Sequence, residues 1–218
     1  MRSKEAALIS LKSYRDECEE IWKPKINLAC GSQIPGCKVI EENGVDFNQI
    51  FRVEVRSLGF NPVLHCQGTL LRIEKDGKEL WSNSPSTLTF ARADRSDSTC
   101  KTIDLTSPQY LEVVGVIKKE NGHRNFANCV RMAVNTHQRE LSPSLHGQLS
   151  NPGKYLIEIA VSGHSTVPVK AELCFDWTGE YGTSSLTLIK QHSVSPAQPS
   201  ANPDKSASLL IATDFPET

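Results

Sequence analysis

The sequence predicts a mainly β protein, an antiparallel sandwich with an N-terminal α-helix and a flexible C-terminal tail. Three observations carry this. Short runs of alternating apolar and polar residues recur along the middle of the chain, which is the period of half-buried strands. Turn dipeptides such as Asp76-Gly77 and Asn121-Gly122 separate those runs. The composition then breaks at Gln191, where "QHSVSPAQPSANPDKSAS" becomes rich in Pro, Ser and Ala. The expected parts are a helix over 1–22, a β-sandwich over 23–190 and a tail over 191–218.

At 218 residues the chain is long enough to bury a core without covalent staples. Its 24 basic and 25 acidic residues leave a formal charge of -1. No basic stretch is long enough to favour nucleic acid or an anionic membrane. No run approaches the roughly 18 apolar residues that span a bilayer, so no membrane insertion by this chain is expected. The seven cysteines are scattered, and their number is odd. With no apolar run suited to a signal peptide, the expectation is a cytoplasmic protein with reduced thiols.

The helix is expected first. Ala7, Leu11, Tyr14, Cys18 and Ile21 recur at alternating steps of four and three, which places them on one stripe. Three readings stay open for that stripe: packing on its own domain, fraying into solvent, or a short coiled coil through which residues 1–22 self-associate. Pro24 ends the helix. "KPKINLAC" reads as a strand and "GSQIPG" as a turn, followed by "CKVIEENG". In "IFRVEVRS", Phe51, Val53 and Val55 share one face. "VLHCQGTLLRIEK" is a long strand, with Cys66, Leu64 and Leu70 on one side and a bend at Gly68. "STLTFARA", "CKTIDLT", "QYLEVVGVIKK" and "VRMAVN" read as further strands, and "THQRELSPSLHGQ" as a loop. "YLIEIAV" alternates cleanly, as does the run Val167, Val169, Ala171, Leu173, Phe175, Trp177. "SSLTLIK" is the last expected strand.

The stretch "LSNPGKYLIEIAV" is the most specific signal. Leu149, Pro152, Gly153 and Tyr155, entering an alternating strand, resemble the tyrosine corner of immunoglobulin-like and fibronectin type III-like sandwiches. The resemblance implies a buried Tyr155 whose hydroxyl bonds back to the backbone, with Leu149 in the core beneath it. No cysteine sits two residues after Tyr155, and the Cys–Trp–Cys framework of antibody domains is missing. The chain is also longer than the roughly 100 residues of one such domain. "FRVEVRS", "CQGTLLRIEKDG" and "PGKYLIEI" are similar to strands of prokaryotic sandwich domains, a resemblance that implies no activity.

No catalytic residue, metal site or cofactor is expected. The chain lacks phosphate-loop, nucleophile-elbow, zinc-protease and dinucleotide fingerprints. His65 and Cys66 are neighbours on a strand and point to opposite faces, so they do not form a nucleophile–base pair. Cys30 and Cys37 flank a turn and could meet across it, but no further ligands sit at zinc spacing. His123, His146 and His164 lie in expected loops. Trp177 and Tyr181 are the candidate binding residues, through the Gly-rich hairpin "WTGEYGTSS", for a carbohydrate or peptide. The leading expectation is a non-catalytic interaction or structural module with a protein partner. A carbohydrate- or peptide-binding module and an enzyme with an unrecognised site are the alternatives.

Overall fold

The computed structural model describes residues 2–43, 46–82, 85–91, 99–121, 125–132 and 148–194. The tail beyond residue 194, the loop at 133–147, His123 and His146 lie outside the described residues. One helix, α1 (Arg2–Trp22), precedes β1 (Ile26–Ala29), β2 (Lys38–Asn43), β3 (Asp46–Ser57), β4 (Val63–Lys75), β5 (Lys78–Trp81) and β6 (Ser86–Thr87). After these come β7 (Lys101–Ile103), β8 (Gln109–Asn121), β9 (Asn125–Met132), β10 (Gly153–His164), β11 (Val169–Trp177) and β12 (Ser185–Ser193).

Every pairing among the described strands is antiparallel. One sheet has five strands in the order β1-β3-β8-β9, with β2 also on β3. The other has seven, in the order β12-β11-β10-β4-β5, with β6 and β7 also on β4. One continuous core joins them. Phe51 of the first sheet meets Phe175 of the second edge-on, with ring centroids 5.2 Å apart. The inward residues of β10 are Tyr155, Ile157, Ile159 and Val161, all fully buried. Their outward neighbours include Glu158, which pairs with Arg72 and Lys170 across the strands. Period-two burial on both sides of one core is the sandwich arrangement.

Local chemistry sets the turns. Asp76 and Gly77 both take positive φ, 52° and 74°, as a tight hairpin between β4 and β5 requires. His65 also has φ 50°, beside a register slip between Val63 and Cys66. That bulge resets the alternation. Leu64 is therefore exposed at 43%, while Cys66 and Leu70 are fully buried, which corrects the expectation that all three share a face. Val167 is likewise 41% exposed and precedes β11 rather than joining its core face. The segment "STLTFARA" is not one strand. Leu88 N–H bonds to Gly68 O in the second sheet, and Ala91 N–H bonds to Tyr110 O in the first. The segment thus crosses between sheets while both Leu88 and Phe90 stay in the core.

The sandwich also extends past residue 190. Gln191 to Ser193 belong to β12, and the Gln191 side chain accepts from Leu28 N–H at 2.9 Å and donates to Asn27 Oδ1 at 2.9 Å. The expected boundary at residue 191 shifts by that much. No described helix is long and apolar enough to cross a membrane.

Candidate functional site

The corner at the start of β10 is a built scaffold. Leu149 and Tyr155 are buried. The Tyr155 hydroxyl bonds to the backbone carbonyl of Gln148 at 2.9 Å and to that of Asn151. Burial pushes this hydroxyl's pKa up to about 12, and the Asp76 charge adds to the shift. Lys75 sits over the ring, 5.1 Å from its centroid, and donates to Pro152 O at 2.8 Å, beside Gly153. Tyr155→Phe should lower stability by about 0.5–1.5 kcal/mol, the worth of one such hydrogen bond, as read by urea unfolding. Oligomeric state measured by light scattering should not change.

Trp177 is part of the same scaffold. Its ring is 1% exposed, stacks on Phe175 at 6.4 Å, and donates through Nε1 to Ser150 O at 2.9 Å. This burial corrects the expectation that Trp177 lines a binding surface. Tyr181 packs partly buried against the core, with its hydroxyl oxygen buried. Gly182 N–H nearby bonds to the buried Gln49 Oε1 at 3.0 Å. The hairpin therefore presents no flat aromatic platform of the kind a sugar ring stacks on.

His65 and Cys66 point apart, with His65 exposed and Cys66 fully buried. Burial, with a smaller push from Cys100, raises the Cys66 thiol to about 12, which suits an inert core residue. The bulge instead brings His65 Nδ1 within 3.8 Å of the Cys100 sulfur. Among the described residues no carboxylate bonds to His65, so the third member of a nucleophile triad is missing there. Among the described residues no group of three His, Cys, Asp or Glu is placed to hold a metal. An open groove of about 460 Å³ between the base of α1 and the β10–β11 turn includes Leu58, Val167 and Val169. Its ionisable lining is Lys23 and Lys25, which is no acid–base set.

Two features remain. The first is a thiol pair. β1 and β2 both lie on the same edge of β3, end to end: Ala29 faces Glu54 and Lys38 faces Phe51. They form one interrupted edge strand, and residues 30–37 loop out between its halves. Cys30 and Cys37 are the feet of that loop. Cys30 Sγ lies 3.5 Å from Arg52 O and Cys37 Sγ 3.8 Å from Ala29 O, and each thiol perturbs the other. The interaction with Cys30 pulls the Cys37 thiol below its ordinary value, helped by the backbone of Glu54 and Gly31 and opposed by burial and the Glu54 charge. The same interaction, with burial, pushes the Cys30 thiol up. The loop is pinned from outside by Tyr110, whose hydroxyl donates to Pro35 O at 2.8 Å. Gly36, at φ 83°, lets the Tyr110 ring close in, since an added Cβ would lie 2.6 Å from its Cζ.

The second is α1. Ala, Leu, Lys, Glu and Arg dominate it, which are strong helix formers. The sandwich holds its base: Trp22 meets Phe60 at 5.3 Å, and Asn61 Nδ2 donates to Trp22 O at 2.7 Å. Above the base the stripe is bare, with Leu11, Tyr14 and Ile21 exposed at 65%, 67% and 55%. That exposure corrects the expectation that the stripe packs on its own domain, and leaves a solvated stripe or a self-associating one. The charges of α1 are also ordered. Arg2, Lys4, Lys12 and Arg15 all precede Asp16, Glu17, Glu19 and Glu20, with only Glu5 out of sequence. That order opposes the helix dipole, which favours acids first and bases last, and no base occupies the last turn. The Arg15–Glu19 ion pair at 2.8 Å is solvent-exposed and offsets little of this. No family model, curated protein or solved structure matches the chain.

Proposed function

We propose that the chain is a non-catalytic interaction module that assembles through α1, with a second copy of itself as the partner. The observation that carries this is the exposed stripe of Leu11, Tyr14 and Ile21 on a helix anchored at its base. A lone helix of this length is marginal in water, and burying its apolar face is what ordinarily stabilises it. The charge order selects the partner. A parallel pair sets like charge against like, whereas an antiparallel pair brings the basic half of one helix towards the acidic half of the other. The dipole conflict eases in that pairing too, because each terminus gains the charge it prefers. The corner at Tyr155 supports grouping the sandwich with immunoglobulin-like folds, which serve as scaffolds and take their role from what they carry.

The test is light scattering on the full chain and on residues 23–218 over a wide concentration range. The full chain should pass from monomer to dimer as concentration rises. The truncated chain should stay monomeric with an unchanged β signature. A full chain that remains monomeric at the highest concentration sinks the proposal.

A further inference from the structure

We infer that Cys30 and Cys37 are a peroxide-oxidised dithiol whose disulfide closes the loop interrupting the edge strand on β3. The topology brings the two residues side by side. Arg52 and Val53 are the β3 residues facing the gap between Ala29 and Lys38, and Arg52 N–H bonds to Cys37 O at 2.7 Å. The feet of the loop are thus one to two strand steps of about 3.3 Å apart. That is compatible with the Cα separation of about 4.4–6.8 Å that a disulfide spans. Between them the backbone makes two successive turns, Ile34 N–H to Gly31 O and Cys37 N–H to Ile34 O. Cys30 Sγ lies 3.3 Å from Leu186 O and Cys37 Sγ lies 3.8 Å from Ala29 O, so both thiols are held in place.

The oxidant is hydrogen peroxide, because Cys37 is only 2% exposed and a bulky disulfide would not reach it. The Cys37 thiolate attacks one peroxide oxygen, and the O–O bond breaks. Cys37 becomes a sulfenic acid, and hydroxide leaves to take up the proton that Cys37 released. The Cys30 sulfur then attacks the Cys37 sulfur, its proton joins the departing hydroxyl as water, and the S–S bond forms. Two thiols and one peroxide give one disulfide and two waters. The thiols elsewhere differ: Cys66 is buried and raised in pKa, and Cys18 and Cys174 are free and partly exposed. A thiol with a lowered pKa holds more thiolate at neutral pH than an ordinary one, and a partner thiol beside it completes the disulfide, so oxidation faster by roughly tenfold is expected.

The test is limited hydrogen peroxide treatment of the full chain, followed by alkylation and peptide mapping. A Cys30–Cys37 cross-link should form roughly tenfold faster than oxidation at Cys18, and a thiol reductant should reverse it. In Cys30→Ser the reaction should stop at a sulfenic acid on Cys37, trapped by a 1,3-dione. Cys37→Ser should give no such adduct at Cys30. Finding Cys30 and Cys37 both still alkylated once Cys18 is oxidised overturns the inference. So does linkage of either residue to a different cysteine, and a trapped adduct on Cys30 overturns the order of attack. The wild-type arm stands whether or not the variants fold.

Discussion

Trp177→Ala is expected to cost about 3–5 kcal/mol of stability, the range for truncating a buried aromatic. The position explains why the upper half of that range is expected. Trp177 closes β11 where it pairs with Gly153 at the start of β10, so its ring sits under the corner that orients both strands. It stacks on Phe175, which touches Tyr155 on one side and Phe51 of the other sheet on the other. Truncation leaves a cavity beside the Phe175 ring and strips Ser150 O of its donor. Ser150 also accepts from Val130 N–H through its hydroxyl, so the loss reaches β9. A domain of this kind has only about 5–15 kcal/mol in total, so a substantial drop in urea midpoint follows. Trp177→Phe keeps most of the ring and loses the Nε1 donor, and should cost distinctly less. A midpoint shift for Trp177→Ala no larger than that of Tyr155→Phe would show that the ring is not the keystone of this corner.

That same residue shows where alternation is informative and where it stops. In β10 and β11 the period of two marks the buried face directly, because each residue has a fixed side of the sheet. Trp177 falls in the core series by that rule, yet the Gly-rich turn after it also makes it a candidate for the surface. Burial in space decides between them. At Ser86–Ala91 the apolar spacing correctly marks Leu88 and Phe90 as buried but says nothing of which sheet they join. The crossing depends on partners far along the chain, Gly68 and Tyr110. The bulge at His65 is invisible in the sequence for a related reason. A positive φ at a histidine has no sequence signature, so simple alternation puts Leu64 on the wrong face. The thiol pair is half legible. Two cysteines flanking a turn are evident, but their contact follows from β1 and β2 sharing one edge of β3, which is non-local topology. For α1 the stripe is legible and its bareness is not, since periodicity records amphipathicity and not whether the domain covers it. The ordering of charge is present in the sequence throughout. It acquires meaning only once the helix is seen to stand free above its base.

The direction of pairing in α1 can be read with a native reporter, because Cys18 lies on the stripe. In a parallel pair, Cys18 faces Cys18 of the second copy, and mild oxidation should link them. In the antiparallel pair, the arrangement that buries Leu11 against Tyr14 of the other copy sets residue 18 beside residue 7. Cys18 then has no thiol opposite it. The expected pattern on a non-reducing gel is therefore specific. The wild-type chain should give no covalent dimer beyond the background of residues 23–218. Ala7→Cys should give a nearly complete covalent dimer, through links from the new thiol at position 7 of one copy to Cys18 of the other. Adding Cys18→Ser to Ala7→Cys should abolish it again. Parallel pairing predicts the reverse for the first and third chains, since both would then hold matched thiols face to face. Absence of a link in all three, at a concentration where light scattering finds dimer, would move the interface off α1 altogether. The charge order makes the antiparallel outcome the expected one: in the parallel alternative, Asp16, Glu17, Glu19 and Glu20 of two copies would crowd together at one end of the pair. Repulsion among exposed charges weakens with salt, so any parallel cross-linking should be confined to high ionic strength.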